Sequence, residues 1–177
     1  MNNIEFRPVG SLSTFGKLRP GEFGIYTEQS WDNEPRTDSL ILACNYDDPK
    51  LDEFANEQDS ICIKISKSEN KRISGHLVNP YDKIDDWVYL PNQSPSIEVD
   101  LESRQKSRYD KPTYSPFPLY LSPERDVFLR VARGCIELNA MKFAVKGPDF
   151  AYLMPISSWR LVENNGHEKA TFWSTEG

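Results

Sequence analysis

Short apolar runs that alternate with polar residues constrain this chain more than any other feature. The clearest case is the stretch 61–65, in which isoleucine occupies every second position. The same period of two recurs at 97–101 and 141–145. Successive side chains of a β-strand point to opposite faces, so this period is typical of a strand with one buried face. The sequence therefore predicts half-buried strands at these three places.

Further short apolar runs are also typical of strands, and residue pairs that break regular structure separate them. Pro20-Gly21, Asn79-Pro80, Gly147-Pro148 and Asn165-Gly166 each favour a turn for a steric reason. Thirteen prolines and nine glycines placed in this way disfavour a helical bundle. The additional runs lie at 23–26, 40–44, 73–78, 87–90, 119–121, 152–156, 159–162 and 171–173.

Two segments compete for helical structure. In 48–58, Asp48 can cap free backbone amides, Pro49 suits the first helical position and acidic residues follow near the positive helix end. We expect a short helix there. In 123–133, a Ser-Pro start and a following glycine fit a second helix, but alternation over 127–131 fits a hairpin into 135–138 equally well.

These patterns predict a mainly β fold, an antiparallel sandwich or barrel with one or two short helices at 48–58 and 123–133. An α+β fold is the alternative. No rhythm of strands and long helices is present, which disfavours a parallel, doubly wound sheet. The length suits one domain over 1–177. The polar, proline-containing stretch 103–118 is predicted to be a long loop or an internal linker.

Our expectations about the compartment and the cofactors rest on motifs that the sequence lacks. It has no apolar run near the roughly 20 residues that span a bilayer, and no basic-then-apolar leader at its start. Three cysteines without metal-binding spacing fit buried thiols in a reducing compartment, although a Cys44–Cys62 disulfide is an open alternative. We therefore expect a cytoplasmic protein with no membrane association, no metal and no cofactor.

Charge is concentrated in one part of the chain. The net charge is −6, yet the segment 28–59 alone holds ten acidic and two basic residues. A dense acidic surface attracts a basic partner, and an aromatic residue within it can anchor the contact. The alternative is a solvated surface that serves only solubility.

The leading hypothesis is therefore a non-enzymatic interaction protein whose acidic segment 28–59 binds and masks a basic surface of a partner protein, as an inhibitor or immunity-type protein would. The predicted contact residues are Trp31, Asp32, Glu34, Asp38, Asp47, Asp48, Asp52 and Glu53.

A second hypothesis is a nucleic-acid-binding accessory module that uses the basic, aromatic loop 104–114. Basic side chains neutralise phosphates, and tyrosines stack on unpaired bases. The acidity of the whole chain weakens this hypothesis. Its predicted contact residues are Arg104, Arg108, Tyr109, Lys111 and Tyr114.

A third hypothesis is a hydrolase with an Asp/Glu pair in a cleft of the β-sandwich. It predicts a concave pocket lined by two carboxylates and an aromatic residue such as Trp87 or Trp159. Both histidines, His76 and His167, stand outside any catalytic motif, and no phosphate-binding glycine loop is present. The sequence therefore favours a binding protein over an enzyme.

Overall fold

The computed structural model describes residues 11–27, 38–67, 73–79, 86–91, 95–101, 119–156, 158–165 and 168–175. These residues are mostly β, with short 3-10 helices at Phe15–Lys17, Pro49–Phe54 and Phe150–Tyr152. The strands are β1 (Ser11–Thr14), β2 (Phe23–Thr27), β3 (Asp38–Tyr46), β4 (Ile61–Lys67), β5 (Ile73–Leu77), β6 (Trp87–Leu90), β7 (Ser96–Val99), β8 (Leu119–Leu121), β9 (Val127–Val131), β10 (Gly134–Glu137), β11 (Lys142–Ala144), β12 (Met154–Ile156), β13 (Trp159–Asn165) and β14 (Glu168–Ser174).

Strand β3 joins the two parts of the large sheet. Its residues 40–44 pair with β4 on one side, and β2 pairs along the other side. Its last two residues, Asn45 and Tyr46, pair in parallel with β11. Beside the arm β2-β6-β1, the sheet therefore has two branches that divide at the end of β3. One branch runs through β4 and β5, and the other through β11, β10, β9, β8 and β12.

The two branches fold over one core and meet again on the far side. There the Ala132 amide, in the turn between β9 and β10, donates a hydrogen bond of 3.0 Å to the Gly75 carbonyl of β5. A smaller sheet, ordered β14-β13-β7, adds Trp159, Leu161 and Trp173 to the same core. The mainly β, sandwich-like fold predicted from the sequence is confirmed. Within the described ranges, no helix has both the length and the apolar character needed to cross a membrane.

Both faces of β3 are buried. Leu40, Leu42 and Cys44 face the core between the branches, which we call the first core. Ile41 and Ala43 face a second core, on the other side of the strand. All five residues are at most 1% exposed, in keeping with the uninterrupted apolar run 40–44.

The three cysteines are free thiols. Cys44 belongs to the first core and Cys62 to the second, so their side chains lie on opposite faces of the β3–β4 pair and form no disulfide. Burial raises the pKa of the Cys62 thiol to about 12, and it also raises the pKa of Cys44 and of Cys135. Such thiols are poor nucleophiles at neutral pH.

The prediction that β4 is half-buried is wrong, because both of its faces are covered. The isoleucines of 61–65 face the first core, whereas Cys62 and Lys64 lie on the other face and are 4% and 6% exposed. Lys64 is covered there by Tyr26, whose ring centre lies 5.4 Å from the ammonium nitrogen. A long aliphatic stem and a ring over the ammonium allow this lysine to be buried.

The helix predicted over 48–58 is shorter and of a different type. Asp48 does cap it, accepting a hydrogen bond of 3.0 Å from the Lys50 amide, but the 3-10 helix ends at Phe54. The chain then turns through 55–60 into β4, which leaves no room for further helical turns.

The helix predicted over 123–133 is wrong, and the hairpin alternative is correct. Strands β9 and β10 pair from Gly134 with Val131 to Glu137 with Phe128. The pairing places Leu129, Val131 and Ile136 in the first core. Gly134, read as a helix stop, instead lets β10 approach β11, because a Cβ atom there would collide with the Ala144 carbonyl.

The buried carboxamide of Asn56 fixes the turn between the 3-10 helix and β4. Its nitrogen donates to the carbonyls of Phe15 (3.0 Å) and Leu18 (2.9 Å). Its oxygen accepts from the backbone amides of Gln58 (2.9 Å) and Ser60 (3.1 Å). One side chain thus attaches the turn 55–60 to the segment 15–18.

Replacing this carboxamide is expected to destabilise the fold. Asn56→Ala leaves buried backbone groups without partners, so we expect the free energy of unfolding to fall by about 2–4 kcal/mol. Gln58→Ala, which keeps its backbone amide and changes an exposed side chain, is the matched control and should change it by less than about 0.5 kcal/mol. Urea unfolding followed by tryptophan fluorescence measures both, and equal stabilities of the two variants would contradict this role.

Candidate functional sites

The part of the chain that follows β3 carries a compact group of carboxylates. It comprises the cap of the 3-10 helix, the helix itself and the turn that leads into β4. The carboxylates are exposed apart from Asp48, which is half-buried. We call this group the acidic end, and it consists of Asp47, Asp48, Asp52, Glu53, Glu57 and Asp59.

Two of these carboxylates influence the hydroxyl group of the neighbouring Tyr46. Tyr46 donates a hydrogen bond of 3.1 Å to Asp52 Oδ1. The pKa of Tyr46 is raised by desolvation, by that hydrogen bond, and by the negative charges of Asp52 and Asp59. The helix and the following turn therefore each contribute one carboxylate to the surroundings of Tyr46.

The backbone of the acidic end is held in one shape. The Ala55 amide donates to the Asp52 carbonyl, and the Asp59 amide to the Asn56 carbonyl, each at 3.1 Å. Asp59 has a φ of 53°, a left-handed conformation that aspartate tolerates better than most residues. Together with the Asn56 bonds, these contacts fix the backbone that carries the carboxylates.

Few cations compensate the acidic end within the described residues. Lys50 lies inside it, and Lys142 of β11 forms an ion pair with Asp47. The hydrogen bond to Asp47 and its charge raise the pKa of Lys142. Both members of this pair are well exposed, so the pair adds little stability and leaves most of the acidic charge facing solvent.

The acidic end contains four of the eight contact residues predicted from the sequence: Asp47, Asp48, Asp52 and Glu53. Asp38 lies at the opposite end of the nine-residue strand β3, about 30 Å away along the strand. Its carboxylate accepts a hydrogen bond of 2.7 Å from Thr27. Trp31, Asp32 and Glu34 lie outside the described residues.

The basic, aromatic loop also lies outside the described residues. This applies to all five predicted nucleic-acid contacts and to the whole of the loop or linker 103–118. They are Arg104, Arg108, Tyr109, Lys111 and Tyr114.

A cleft of about 400 Å³ opens on the small sheet. It involves the end of β7, the start of β13 and the facing part of β14. Its walls therefore come from one hairpin, β13 and β14, and from β7, which lies about sixty residues earlier in the chain. We call it the polar cleft, and its described lining residues are Glu98, Val99, Asp100, Ser158, Trp159, Arg160, Thr171 and Ser174.

Glu98 is held between two cations in this cleft. Arg160 donates from Nε (3.1 Å) and Nη2 (2.8 Å) to Glu98 Oε2, and Lys169 donates to Oε1 at 2.7 Å. The hydrogen bond from Lys169, followed by those from Arg160, lowers the pKa of Glu98 below its usual value. Glu98 therefore stays ionised, which suits an acceptor of hydrogen bonds and not a donor of protons.

The hydrolase hypothesis predicted two carboxylates and a tryptophan in one pocket. Glu98 and Asp100 both line the polar cleft. The Trp159 ring, however, is packed against Trp173 with centroids 4.8 Å apart, and the residue is only 3% exposed. Trp87 lies on β6 of the large sheet and is 62% exposed. Neither ring is therefore offered to a ligand in this cleft.

Sequence reasoning missed the charged triad of Glu98, Arg160 and Lys169. Alternation over 97–101 places Glu98 on the face opposite Ile97 and Val99. It cannot reveal the partner strand, because Arg160 lies 62 residues further along the chain. The alternation of Trp159, Arg160 and Leu161 is the corresponding weak signal on β13.

Other chemistry-bearing groups remain dispersed. His76 is exposed on β5, and His167 lies outside the described residues. Among the residues that the structure describes, no three His, Cys, Asp or Glu side chains are grouped in a way that could hold a metal ion. Comparison of the chain with protein-family models, curated proteins and solved structures finds no match.

The pKa of Glu98 provides a direct test of the triad. In a carbon-detected NMR titration, we expect the Glu98 carboxyl to titrate below its ordinary value of 4.5. Since folding lowers this pKa, the ion pairs stabilise the fold above the unfolded-state pKa, and that stabilisation is lost as pH falls through the folded-state pKa. Arg160→Gln should raise the Glu98 pKa, whereas Arg130→Gln on β9 should leave it unchanged. A wild-type value at or above the ordinary one would refute this arrangement.

Proposed function

We propose that this protein is a non-enzymatic binding protein whose acidic end docks on a basic surface of a partner protein and masks it. The observation that carries the proposal is the acidic end itself, six carboxylates within 47–59 on one internally bonded segment. The acidic end is the part of the segment 28–59 on which the test below acts, and Trp31, Asp32 and Glu34 stay predicted contacts.

The physical basis is electrostatic steering onto a prepared surface. Clustered charge raises the rate of encounter with a basic partner, and exposed rim charges act chiefly on that rate. The bonds of Asn56 remove part of the ordering cost that a flexible acidic loop incurs on binding. The Debye length is about 8 Å at physiological ionic strength, so the attraction must weaken as salt is added.

Tyr46 supplies an aromatic group beside the carboxylates. It is half-buried, packs against the first core and points its hydroxyl at Asp52. Tyrosine is enriched among the residues that carry most of the binding energy of protein interfaces. Trp31 remains a predicted second anchor.

The partner expected from this chemistry is a protein with a lysine- and arginine-rich surface. Carboxylates spaced along a rigid turn can occupy positions that nucleic-acid phosphates would otherwise take on such a surface. Masking it would inhibit the partner, which is the role of an inhibitor or immunity-type protein.

The test compares how two variants, each with two fewer negative charges, bind the partners that the chain captures from native lysate. The tagged chain is incubated with native lysate, with and without nuclease treatment, and retained proteins are identified by mass spectrometry. Glu53→Gln/Glu57→Gln removes two charges from the acidic end. Glu124→Gln/Asp149→Asn removes two exposed charges outside the segment 28–59 and is the matched control.

We expect a basic partner that is retained after nuclease treatment and released by salt. The acidic-end variant should bind it about 2- to 10-fold more weakly, with a flatter salt dependence, and the control should bind as the wild type does. Equal affinities of the two variants would contradict the proposal. Loss of every partner on nuclease treatment would instead favour the basic loop 104–114.

A further inference from the structure

We propose that the polar cleft binds a neutral, hydroxyl-rich ligand with the size of one or two sugar rings. This inference does not depend on the acidic end, since the cleft is built by β7, β13 and β14. It rests on the size of the cleft, its charge balance and the hydrogen-bonding chemistry of its walls.

The size restricts the ligand to a small molecule. Clefts that bind small molecules range from about 300 to 1,000 Å³, and this one, at about 400 Å³, lies near the lower limit. A monosaccharide or a disaccharide end fits that range, whereas a nucleotide cofactor or a long acyl chain needs more space.

The charges at the cleft balance within the described residues. Glu98 and Asp100 contribute two negative charges to the lining and Arg160 contributes one positive charge. Lys169 is not a lining residue, but its ion pair with Glu98 adds the second positive charge. An anionic ligand attracted by a cationic side chain would also meet a carboxylate. A cationic ligand attracted by a carboxylate would also meet a cationic side chain. A neutral ligand avoids this desolvation of an unmatched charge.

The walls offer every kind of hydrogen-bonding group that a sugar hydroxyl requires. Arg160 is a donor only, the carboxylate of Asp100 is an acceptor only, and the hydroxyls of Ser158, Thr171 and Ser174 serve as both. Each hydroxyl of a sugar is likewise a donor and an acceptor. A lining that mixes these groups suits a polyhydroxylated molecule better than an apolar one.

The floor of the cleft is rigid. The Thr175 amide donates to the Trp159 carbonyl and the Trp159 amide to the Thr175 hydroxyl, each at 3.0 Å, which ties the end of β14 to β13. The backbone amide of Asp100 donates to the Ser158 carbonyl at 3.0 Å, which ties the end of β7 to the residue before β13. The backbone that carries the lining side chains is thus fixed before a ligand arrives.

The experiment is a chemical-shift titration of the full chain labelled with nitrogen-15. The probes are the methyl glycosides of glucose, galactose and mannose, each at millimolar concentration. Glucuronate and glucosamine serve as charged probes of the same ring size. We expect at least one neutral glycoside to shift the amides of 98–100, 158–160 and 171–174 saturably, and to bind more tightly than either charged probe.

Variants then locate the contact. Asp100→Asn, which removes a charged acceptor, should weaken binding of the neutral glycoside about tenfold or more while the dispersed spectrum shows an intact fold. Asp38→Asn on β3 is the matched control and should bind as the wild type does. The proposal is overturned if no neutral glycoside shifts these amides, if a charged probe binds more tightly, or if Asp100→Asn binds with wild-type affinity.

Discussion

The burial of β3 on both faces is the constraint on which the rest of the structure depends. A strand with apolar side chains on both sides needs a packed layer over each of them, and Leu40 to Cys44 have one. The first core is closed by the branch of the large sheet that contains β8 to β12, together with the small sheet. The second core is closed by residues such as Phe15, Leu18 and Val88. Each of these two layers thus shields one apolar face of β3 from water.

The same strand determines where the acidic end lies. Asn45 and Tyr46 pair with β11, and the chain then leaves the sheet directly into the capped 3-10 helix. The carboxylates of 47–59 therefore emerge where the two branches divide, on a base attached to both. Asn56 adds a second attachment, to the segment 15–18. A charged segment fixed at both of these points can present its charges in a constant arrangement, which a free acidic tail cannot do.

Local patterns in the sequence predicted most strands, because burial on a sheet imposes a period of two that is visible without knowledge of the partner strand. They failed where burial depends on tertiary contacts. Lys64 marked β4 as half-exposed, yet Tyr26 covers it. Val127 to Val131 fitted helix and strand equally, and only the first core and the close approach of Gly134 to β11 select the hairpin.

The candidate sites were predicted less completely than the strands. The composition of the sequence indicated the acidic end, but it did not indicate that Asp38 lies far from the other carboxylates, since that distance follows from the length of β3. The triad of Glu98, Arg160 and Lys169 depends on strand register across more than sixty residues, which no local pattern encodes.

The most direct test of the acidic end as the binding surface is amide hydrogen exchange of the chain, alone and with its captured basic partner. Binding through the acidic end predicts slower exchange of amides in 47–59 in the complex, with the amides of 98–100 and 171–174 around the polar cleft unchanged. Slower exchange confined to other parts of the chain, with 47–59 exchanging as in the free protein, would contradict the account.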